Sequence, residues 1–263
     1  GELRQSPNDM KGFKPTMENI SAIAGFYNVK VDNIDCRLTV TKRTGMAQFS
    51  FPENENRGTI IIGSGINSNA ITDANIRITS APTCEGYADG GSFCGISTPY
   101  KIYFVAQFDR PAVSSGTWSG DQLMASSTSA SGANSGAYFT FNTGNEKRIQ
   151  YKFGISYVSL ENARENLAKE NPGFNFKQVA AATNKAWNNY LGRIEVAGAS
   201  EDRTTQFYTH LYHSLIHPSI FNDVNGDYLG SDKKVYNAKG FEYYTAFSNW
   251  DTYRTQAQLL SII

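Results

Sequence analysis

An aromatic-rich segment, residues 243–254, carries the residue types in this 263-residue chain that are best suited to binding a sugar. The flat indole of Trp250 can stack on the C–H face of a sugar ring. The neighbouring carboxylate of Asp251 can accept hydrogen bonds from vicinal hydroxyls, and Arg254 can orient that carboxylate. The opposing hypothesis is that Trp250 belongs to a hydrophobic core and that Asp251 caps the helix that follows. The residues alone favour neither hypothesis.

Residues 223–227 resemble the start of a calcium-binding loop. The full loop needs a glycine at its sixth position and a bidentate glutamate at its twelfth. Tyr228 and Lys234 stand at those positions, so the pattern fails. We expect instead a tight turn at Asn225 and Gly226 that joins two short extended arms.

The histidines His213 and His217 lie four residues apart, which is the spacing of metal ligands on a helix face. No glutamate accompanies them as in the HExxH motif of zinc enzymes. Polar packing near a helix end, where histidine also meets a favourable dipole, is therefore the preferred interpretation. We expect no metal-binding residue in this chain.

Three cysteines, Cys36, Cys84 and Cys94, are too few for a disulfide framework and lack the CxxC spacing of zinc sites. Cys84 and Cys94 flank a glycine-containing segment and could form one disulfide. Free buried thiols are the favoured alternative.

The net charge of the chain indicates which macromolecules it is suited to bind. Lysine and arginine number 24 and aspartate and glutamate also number 24, so the formal net charge is zero. Nucleic acids and anionic membrane surfaces require a cationic face, so neither is an expected partner. No run approaches the roughly 18 apolar residues of a membrane-spanning helix.

The first part of the chain, to about residue 158, alternates apolar and polar residues in short runs typical of strands. The small-residue stretch at residues 126–136 is expected to be a loop. Many short strands without an intervening helical period predict antiparallel sheets packed as a sandwich. The alternating runs lie at residues 27–31, 34–40, 49–51, 60–62, 76–78, 103–108, 139–141 and 149–159.

After Ser159 the apolar period becomes helical. Ser159 can cap a first helix, which presents Leu160, Ala163 and Leu167 on one face and stops at residues 171–173. A second helix is expected over about residues 175–193.

Two further helices complete this half of the chain. One is expected to begin near residue 201 and to end at Pro218, and the last to run from near Trp250 to Ile263. The last pattern has no glycine cap, cationic final turn or proline, so we expect a longer helical domain to continue past Ile263.

Several segments in order make the sequence similar to glycoside hydrolase family 92, the α-mannosidases. Each is weak alone, but the ordered set covers nearly the whole chain, and the final segment is the most specific. The segments are residues 25–29, 41–45, 51–52, 103–106, 155–159, 166–167, 207–213, 223–230 and 247–254.

The resemblance implies a fold in three parts. Residues 1–158 would form an antiparallel β-sandwich and residues 159–198 a helical linker. Residues 199–263 would form the first helices of a truncated (α/α)6 catalytic barrel. This order agrees with the strand-then-helix pattern.

The resemblance also implies an activity: exo-acting, Ca²⁺-dependent, inverting hydrolysis of terminal α-linked mannose, with α-1,2 linkages as the expected substrate. The family's catalytic carboxylates and calcium ligands would lie beyond Ile263. We therefore expect no catalytic residue in this chain and no activity of the chain alone. Substrate binding by Trp250, Asp251 and Arg254 carries over to this sequence, with Arg254 supporting Asp251.

The implied partners are mannose-containing glycans and the remainder of the chain's own barrel, in a secreted or periplasmic setting. An alternative is a non-catalytic carbohydrate-binding or scaffold sandwich module. Another is an unrelated sugar-active enzyme of similar architecture, because function resides in the site rather than in the fold.

Overall fold

The computed structural model describes residues 2–8, 14–64, 70–91 and 99–263. The described part of the first 156 residues consists of antiparallel strands. They are β1 (Met17–Ile23), β2 (Phe26–Val31), β3 (Ile34–Val40), β4 (Thr44–Ser50), β5 (Arg57–Gly63), β6 (Ile71–Ser80), β7 (Thr83–Gly90), β8 (Tyr100–Phe108), β9 (Ser114–Ser119), β10 (Gln122–Ala125), β11 (Ser129–Ser131), β12 (Ser135–Asn142) and β13 (Arg148–Ser156).

The remaining described residues form mainly helices, with short strand pairs between them. They are α1 (Leu160–Glu170), α2 (Phe176–Leu191), α3 (Glu201–Ser214), β14 (Ser219–Ile220), β15 (Asp227–Leu229), β16 (Val235–Asn237), β17 (Tyr244–Thr245), α4 (Asn249–Thr252) and α5 (Gln256–Ile262). Within the described residues, no helix combines the length and apolarity needed to cross a lipid bilayer.

Two sheets face each other around an aromatic core. One has the strand order β1-β2-β3-β4-β13-β8-β7-β6-β11 and the other β10-β9-β12-β5. Phe108 of the first sheet lies 4.9 Å, between ring centroids, from both Phe139 and Phe141 of the second. All three rings are buried. Full burial of each such side chain contributes about 1.5–3 kcal/mol, so this layer holds the sandwich together.

Helix α1 packs on the outer face of the larger sheet. Its buried residues Ala163 and Leu167 contact Val105 of β8. Gly154 of β13 makes this approach possible, because a Cβ there would lie 2.7 Å from the Ala163 carbonyl oxygen and 2.9 Å from the Leu167 Cβ. Any larger residue at position 154 would push the helix away from the sheet.

The predicted sandwich followed by helices is confirmed, and so are the predicted ends of α1. The Ser159 hydroxyl accepts a hydrogen bond from the Asn162 amide at 3.1 Å, and Asn171 is the C-terminal cap. The expected loop at residues 126–136 was wrong in part, because β11 and the start of β12 lie there. Ala130 of β11 is buried against Ile76 of β6, so pairing with a neighbouring strand orders a segment that has little apolar surface of its own.

The strand β1 lies outside the alternating runs that the sequence displays. All of its residues are exposed, and it is an edge strand paired with β2. A strand that buries neither face lacks the alternation from which strands are recognised.

The last two predicted helices differ from the structure. Helix α3 ends at Ser214 and is shorter than expected. His217, which directly precedes Pro218, lies outside the helix, in agreement with the restriction on residues before proline. The helix expected from Trp250 onward is divided into α4 and α5 by Thr255, whose φ is +68°. Aromatic and β-branched residues at positions 250–255 have low helix propensity, which favours the break.

Cys36 and Cys84 are free and buried thiols, and Cys94 lies outside the described residues. Burial, with a contribution from the Glu85 carboxylate, raises the pKa of Cys84 to about 12. Burial followed by the Asp35 charge also raises the pKa of Cys36. The nucleophilic thiolate is therefore scarce at neutral pH.

We predict that iodoacetamide at about pH 8 leaves Cys36 and Cys84 unmodified in the folded protein and modifies both after unfolding in guanidinium. Peptide mass spectrometry gives the extent of labelling at each position. Labelling of the folded protein at the unfolded rate would contradict the assigned burial. Resistance of Cys84 and Cys94 after unfolding without a reductant would instead reveal the disulfide alternative.

Candidate functional site

The sugar-binding candidate Trp250 lies at the protein surface. Its segment leaves the strand β17, which pairs with β14, and Trp250 follows in α4 with 81% of its surface exposed. The indole is therefore not part of a hydrophobic core in this chain, as the opposing hypothesis required. An exposed indole face is the geometry that stacking on a sugar ring needs.

Asp251 has a local role in the first turn of α4. The Ser248 hydroxyl donates to Asp251 Oδ2 at 2.6 Å, and the Asp251 amide donates to the Ser248 carbonyl at 2.8 Å. A carboxylate at a helix N-terminus is favoured by the helix dipole. Asp251 lies in the first turn of α4, whose N-terminal cap is Ser248, so it supports the start of this helix without being its cap. Its sugar-binding role stays a prediction.

Arg254 does not pair with Asp251. Among the described residues the ion pairs include none between these two side chains, and the Arg254 guanidinium carbon lies 5.5 Å from the centroid of the Tyr253 ring. Arg254 lies two residues beyond the end of α4, and its side chain lies over the ring of its sequence neighbour instead. The expected support of Asp251 by Arg254 is absent from this arrangement.

A buried carboxylate anchors the loop that leads to this segment. Asp223 is 3% exposed. Its Oδ2 accepts from the Ser156 hydroxyl at 2.6 Å and from the Asn162 side-chain amide at 2.9 Å. Its Oδ1 accepts from the Asn166 side-chain amide at 2.6 Å. Ser156 ends β13 while Asn162 and Asn166 lie on α1, so one carboxylate joins the sandwich, the first helix and the loop.

The groups around Asp223 all donate hydrogen bonds to its carboxyl oxygens. The Ser156 Oγ accepts from the backbone amides of Val158 at 2.9 Å and Ser159 at 3.3 Å, so its own proton points at Asp223. The two asparagine amides also donate. Three neutral donors therefore satisfy the Asp223 carboxyl group. No lysine, arginine or histidine forms an ion pair with Asp223 in the described part of the chain.

Asn162 and Asn166 hold Asp223 in place, a structural role that the sequence analysis did not predict. They lie four apart on the same helix as the buried Ala163 and Leu167, and both are buried. A pair of amides beside an apolar stripe is the signal that could have identified them, because buried polar side chains need partners.

The turn predicted at Asn225 and Gly226 is present. Gly226 has φ +92°, and its amide donates to the Asp223 carbonyl at 2.9 Å. The Asp223 amide in turn donates to the Asp227 carbonyl at 2.7 Å, which brings the two arms together.

An open cleft lies between this loop and the sandwich. It is lined by residues 222–226 and 237–242 together with Arg43, from the turn between β3 and β4. At its rim Lys42 forms an ion pair with Glu242, and this contact lowers the pKa of the Glu242 carboxyl. Burial followed by a hydrogen bond to Glu242 raises the pKa of Tyr244 to about 12. Tyr244 therefore stays protonated at neutral pH and acts as a donor.

Metal binding finds no support in the described residues. They contain no group of three or more His, Cys, Asp or Glu side chains placed to hold a metal ion. The oxygens of Asp223 are occupied by hydroxyl and amide donors. His213 lies in α3 but His217 follows its end, so the helical spacing expected for this pair is not realised.

Two family models match the sequence. The Glycosyl hydrolase family 92 N-terminal domain matches residues 3–156, and the Glycosyl hydrolase family 92 catalytic domain matches residues 162–263. Ser156 belongs to the first region, and Asp223 and its asparagine donors belong to the second. The buried hydrogen bonds of Asp223 therefore join the two matched regions.

Individual relatives agree with these matches. An uncharacterized secreted glycosidase of Arthroderma benhamiae is 26% identical over 92% of this chain and 33% of its own length. The family GH92 α-mannosidase BT3965 of Bacteroides thetaiotaomicron superposes with a TM-score of 0.87 and 28% identity, over 99% of this chain and 36% of that protein.

Two further solved structures are similar. The mannoimidazole complex of BT3965 has a TM-score of 0.86 and 27% identity, over 99% of this chain and 36% of that one. The inverting mannosidase BT2199 of the same organism has a TM-score of 0.87 and 25% identity, over 99% of this chain and 35% of that one. The chain spans about one third of the length of the relatives that it matches.

We predict that Asp223→Asn lowers the free energy of unfolding by about 3 kcal/mol, because it turns an acceptor oxygen into a donor that faces existing donors. Urea denaturation followed by circular dichroism measures the change. Asp35→Asn, on an exposed strand position, is the control, and we expect it to change stability by less than about 0.5 kcal/mol. Equal effects of the two substitutions would contradict the anchoring role of Asp223.

Proposed function

Because this chain belongs to glycosyl hydrolase family 92, we propose that the protein containing it is an exo-acting α-mannosidase. It removes terminal α-linked mannose from glycans, with α-1,2 linkages as the substrate and with inversion at the anomeric carbon. The observation that carries the proposal is the exposed Trp250 ring beside Asp251, on a chain that superposes on family GH92 mannosidases.

The residues of this chain supply binding rather than bond cleavage in the proposed mechanism. The Trp250 indole packs against the C–H face of the terminal mannose, and the Asp251 carboxylate accepts hydrogen bonds from its hydroxyls. In this role Asp251 orients the ring and takes no part in proton transfer. Arg254, stacked on Tyr253, lies three residues away and contributes positive charge near the bound sugar.

Inversion requires two carboxyl groups about 6.5–9.5 Å apart, one to protonate the leaving oxygen and one to activate water. We place both in the part of the protein outside this chain, since relatives are about three times as long as the aligned region. Similarity to an inverting mannosidase supports this stereochemical course.

We further propose Ca²⁺ as the cofactor, with its ligands outside this chain. The described residues do not fit such a site, because they hold no cluster of ligating side chains and Asp223 is already satisfied by neutral donors.

We propose a secreted protein that meets its glycan substrates outside the cell membrane or in the periplasm. A secreted relative supports this location.

We predict that the protein containing this chain hydrolyses an aryl α-mannoside and that residues 1–263 alone do not, because the chain provides binding groups without the paired carboxyls. Release of the aryl group gives the rate. Treatment with a chelator should abolish hydrolysis, and added Ca²⁺ should restore it.

Hydrolysis of aryl α-glucoside or α-galactoside in preference to the mannoside would contradict the proposed specificity. Turnover by residues 1–263 alone would contradict the placement of the carboxyls outside this chain. Mannan binding by a protein that hydrolyses none of these glycosides would support the non-catalytic alternative.

We predict that Asp251→Ala in the complete protein lowers kcat/KM about 30- to 1000-fold, which corresponds to about 2–4 kcal/mol of transition-state binding lost with a charged hydrogen bond to substrate. Asp202→Ala is the matched control, because Asp202 is also an exposed acidic residue in the first turn of a helix, α3. Equal kcat/KM for both variants would assign Asp251 to the helix-start role.

A further inference from the structure

Arg43 is a sandwich residue whose side chain reaches into the helical part of the chain. It lies in the turn between β3 and β4, and its side chain is only 11% exposed. Its Nη1 donates to Glu170 Oε1 at 2.7 Å, and its backbone amide donates to Glu170 Oε2 at 2.9 Å. Glu170 is the last residue of α1, so these bonds fix the guanidinium between the turn and the helix.

A second donor of this guanidinium points at a different partner. Arg43 Nε donates to the carbonyl oxygen of Asn222. Asn222 is 6% exposed and directly precedes the buried anchor Asp223. The Asn222 backbone is thus held on one side by the sandwich and on the other by the hydrogen bonds of Asp223.

The side chain of Asn222 transmits this placement to the proposed sugar-binding segment. Its Oδ1 accepts from the backbone amide of Tyr243 at 2.8 Å. Tyr243 directly precedes β17, and the chain continues from β17 to Trp250 and Asp251. The residues Arg43, Asn222 and Tyr243 therefore form a hydrogen-bonded relay from the sandwich to the segment.

The segment has other attachments as well. The Tyr243 carbonyl accepts a hydrogen bond from the Phe221 amide at 2.8 Å, and the Tyr243 ring stacks on Tyr228 at 4.0 Å between centroids. The strands β14 and β17 share two residue pairs, Ser219 with Thr245 and Ile220 with Tyr244. The helices α4 and α5 contribute no buried residue. Gln256, which follows Trp250 in the chain, donates to the carbonyls of Ser214 and His217 at 2.8 and 2.9 Å. The relay through Asn222 is thus a buried attachment that holds the segment at Tyr243, on the N-terminal side of Trp250.

The nearby ion pair between Lys42 and Glu242 is a weaker restraint. Its side chains are 50% and 37% exposed. Solvent-exposed pairs of this kind contribute at most about 1 kcal/mol, because water screens the charges and side-chain entropy opposes pairing. Arg43 lies in the same turn, and its guanidinium is sufficiently buried to hold Glu170 and Asn222 in place.

We infer that Arg43 is a positioning residue that sets the orientation of Trp250 and Asp251 through Asn222 and Tyr243. The sandwich thereby participates in substrate binding without touching the substrate. This inference rests on the proposed sugar-binding role of the segment, while the relay itself can be measured separately.

The test uses Arg43→Lys in the complete protein. A lysine keeps a cation beside Glu170 but has a single donor group, so it cannot hold Glu170 and the Asn222 carbonyl in the same fork geometry. Arg148→Lys is the matched control: Arg148 lies on the same sandwich, is 52% exposed and pairs only loosely with Glu146 at 4.0 Å.

Hydrogen exchange measures the effect of the substitution on the relay, and KM measures its effect on the proposed site. Hydrogen exchange measured by mass spectrometry should be about tenfold faster in the peptide containing Tyr243 and Trp250 of Arg43→Lys, with exchange in α1 unchanged. KM for an aryl α-mannoside should rise about tenfold with a smaller change in kcat, because binding geometry is lost while the cleaving groups remain. Arg148→Lys should change neither quantity.

The outcomes separate this inference from the proposed function. Unchanged exchange and unchanged KM in Arg43→Lys, with an active parent protein, would overturn the inference and leave the proposed function standing. Faster exchange in α1 together with an unchanged KM would show a purely structural role and would also overturn it. A parent protein that shows normal protection at Tyr243 but neither binds nor hydrolyses mannosides would overturn the proposed function and, with it, the assignment of Arg43 to substrate positioning.

Discussion

The arrangement of this chain depends on a buried negative charge that is satisfied by neutral donors. Asp223 brings together the end of β13, the first helix α1 and the loop before the aromatic segment. A buried carboxylate is costly unless every oxygen finds partners, so the three segments must meet in one geometry.

Further buried charges reinforce the same junction. The carboxylate of Glu85 on β7 pairs with Arg164 of α1 at 2.9 Å and is only 5% exposed. Lys152 of β13 donates to the Asn171 carbonyl at 2.8 Å at the end of α1, and burial lowers the pKa of this lysine. Each bond crosses between sheet and helix, so the sandwich is a platform that fixes the helical region. The proposed sugar-binding segment takes its position from that platform.

Local patterns predicted the parts of the fold that depend on local physics. Period-two alternation identified most strands of the sandwich, and the serine at position 159 identified the start of α1. The break at Thr255 was missed because apolar periodicity outweighed the low helix propensity of its neighbours. The strand β11 was missed because its order comes from pairing with β6.

The candidate site was only partly predictable, because many of its contacts join residues that are far apart in the sequence. Trp250 and Asp251 are adjacent residues with recognisable chemistry, so the sequence displays them together. The partners of Asp223 lie 57 to 67 positions away, and Arg43 is 179 positions from Asn222. No local pattern encodes contacts of that separation, and the family resemblance named no residue for this role.

The central claim is that Trp250 and Asp251 form a sugar-binding surface held in place by the sandwich. A crystal structure of the complete protein with mannoimidazole tests it most directly. The account predicts the Trp250 indole within about 4–5 Å of the ligand ring and the Asp251 carboxylate hydrogen-bonded to its hydroxyls. A ligand bound elsewhere, with the Trp250 ring enclosed by packed side chains, would contradict it.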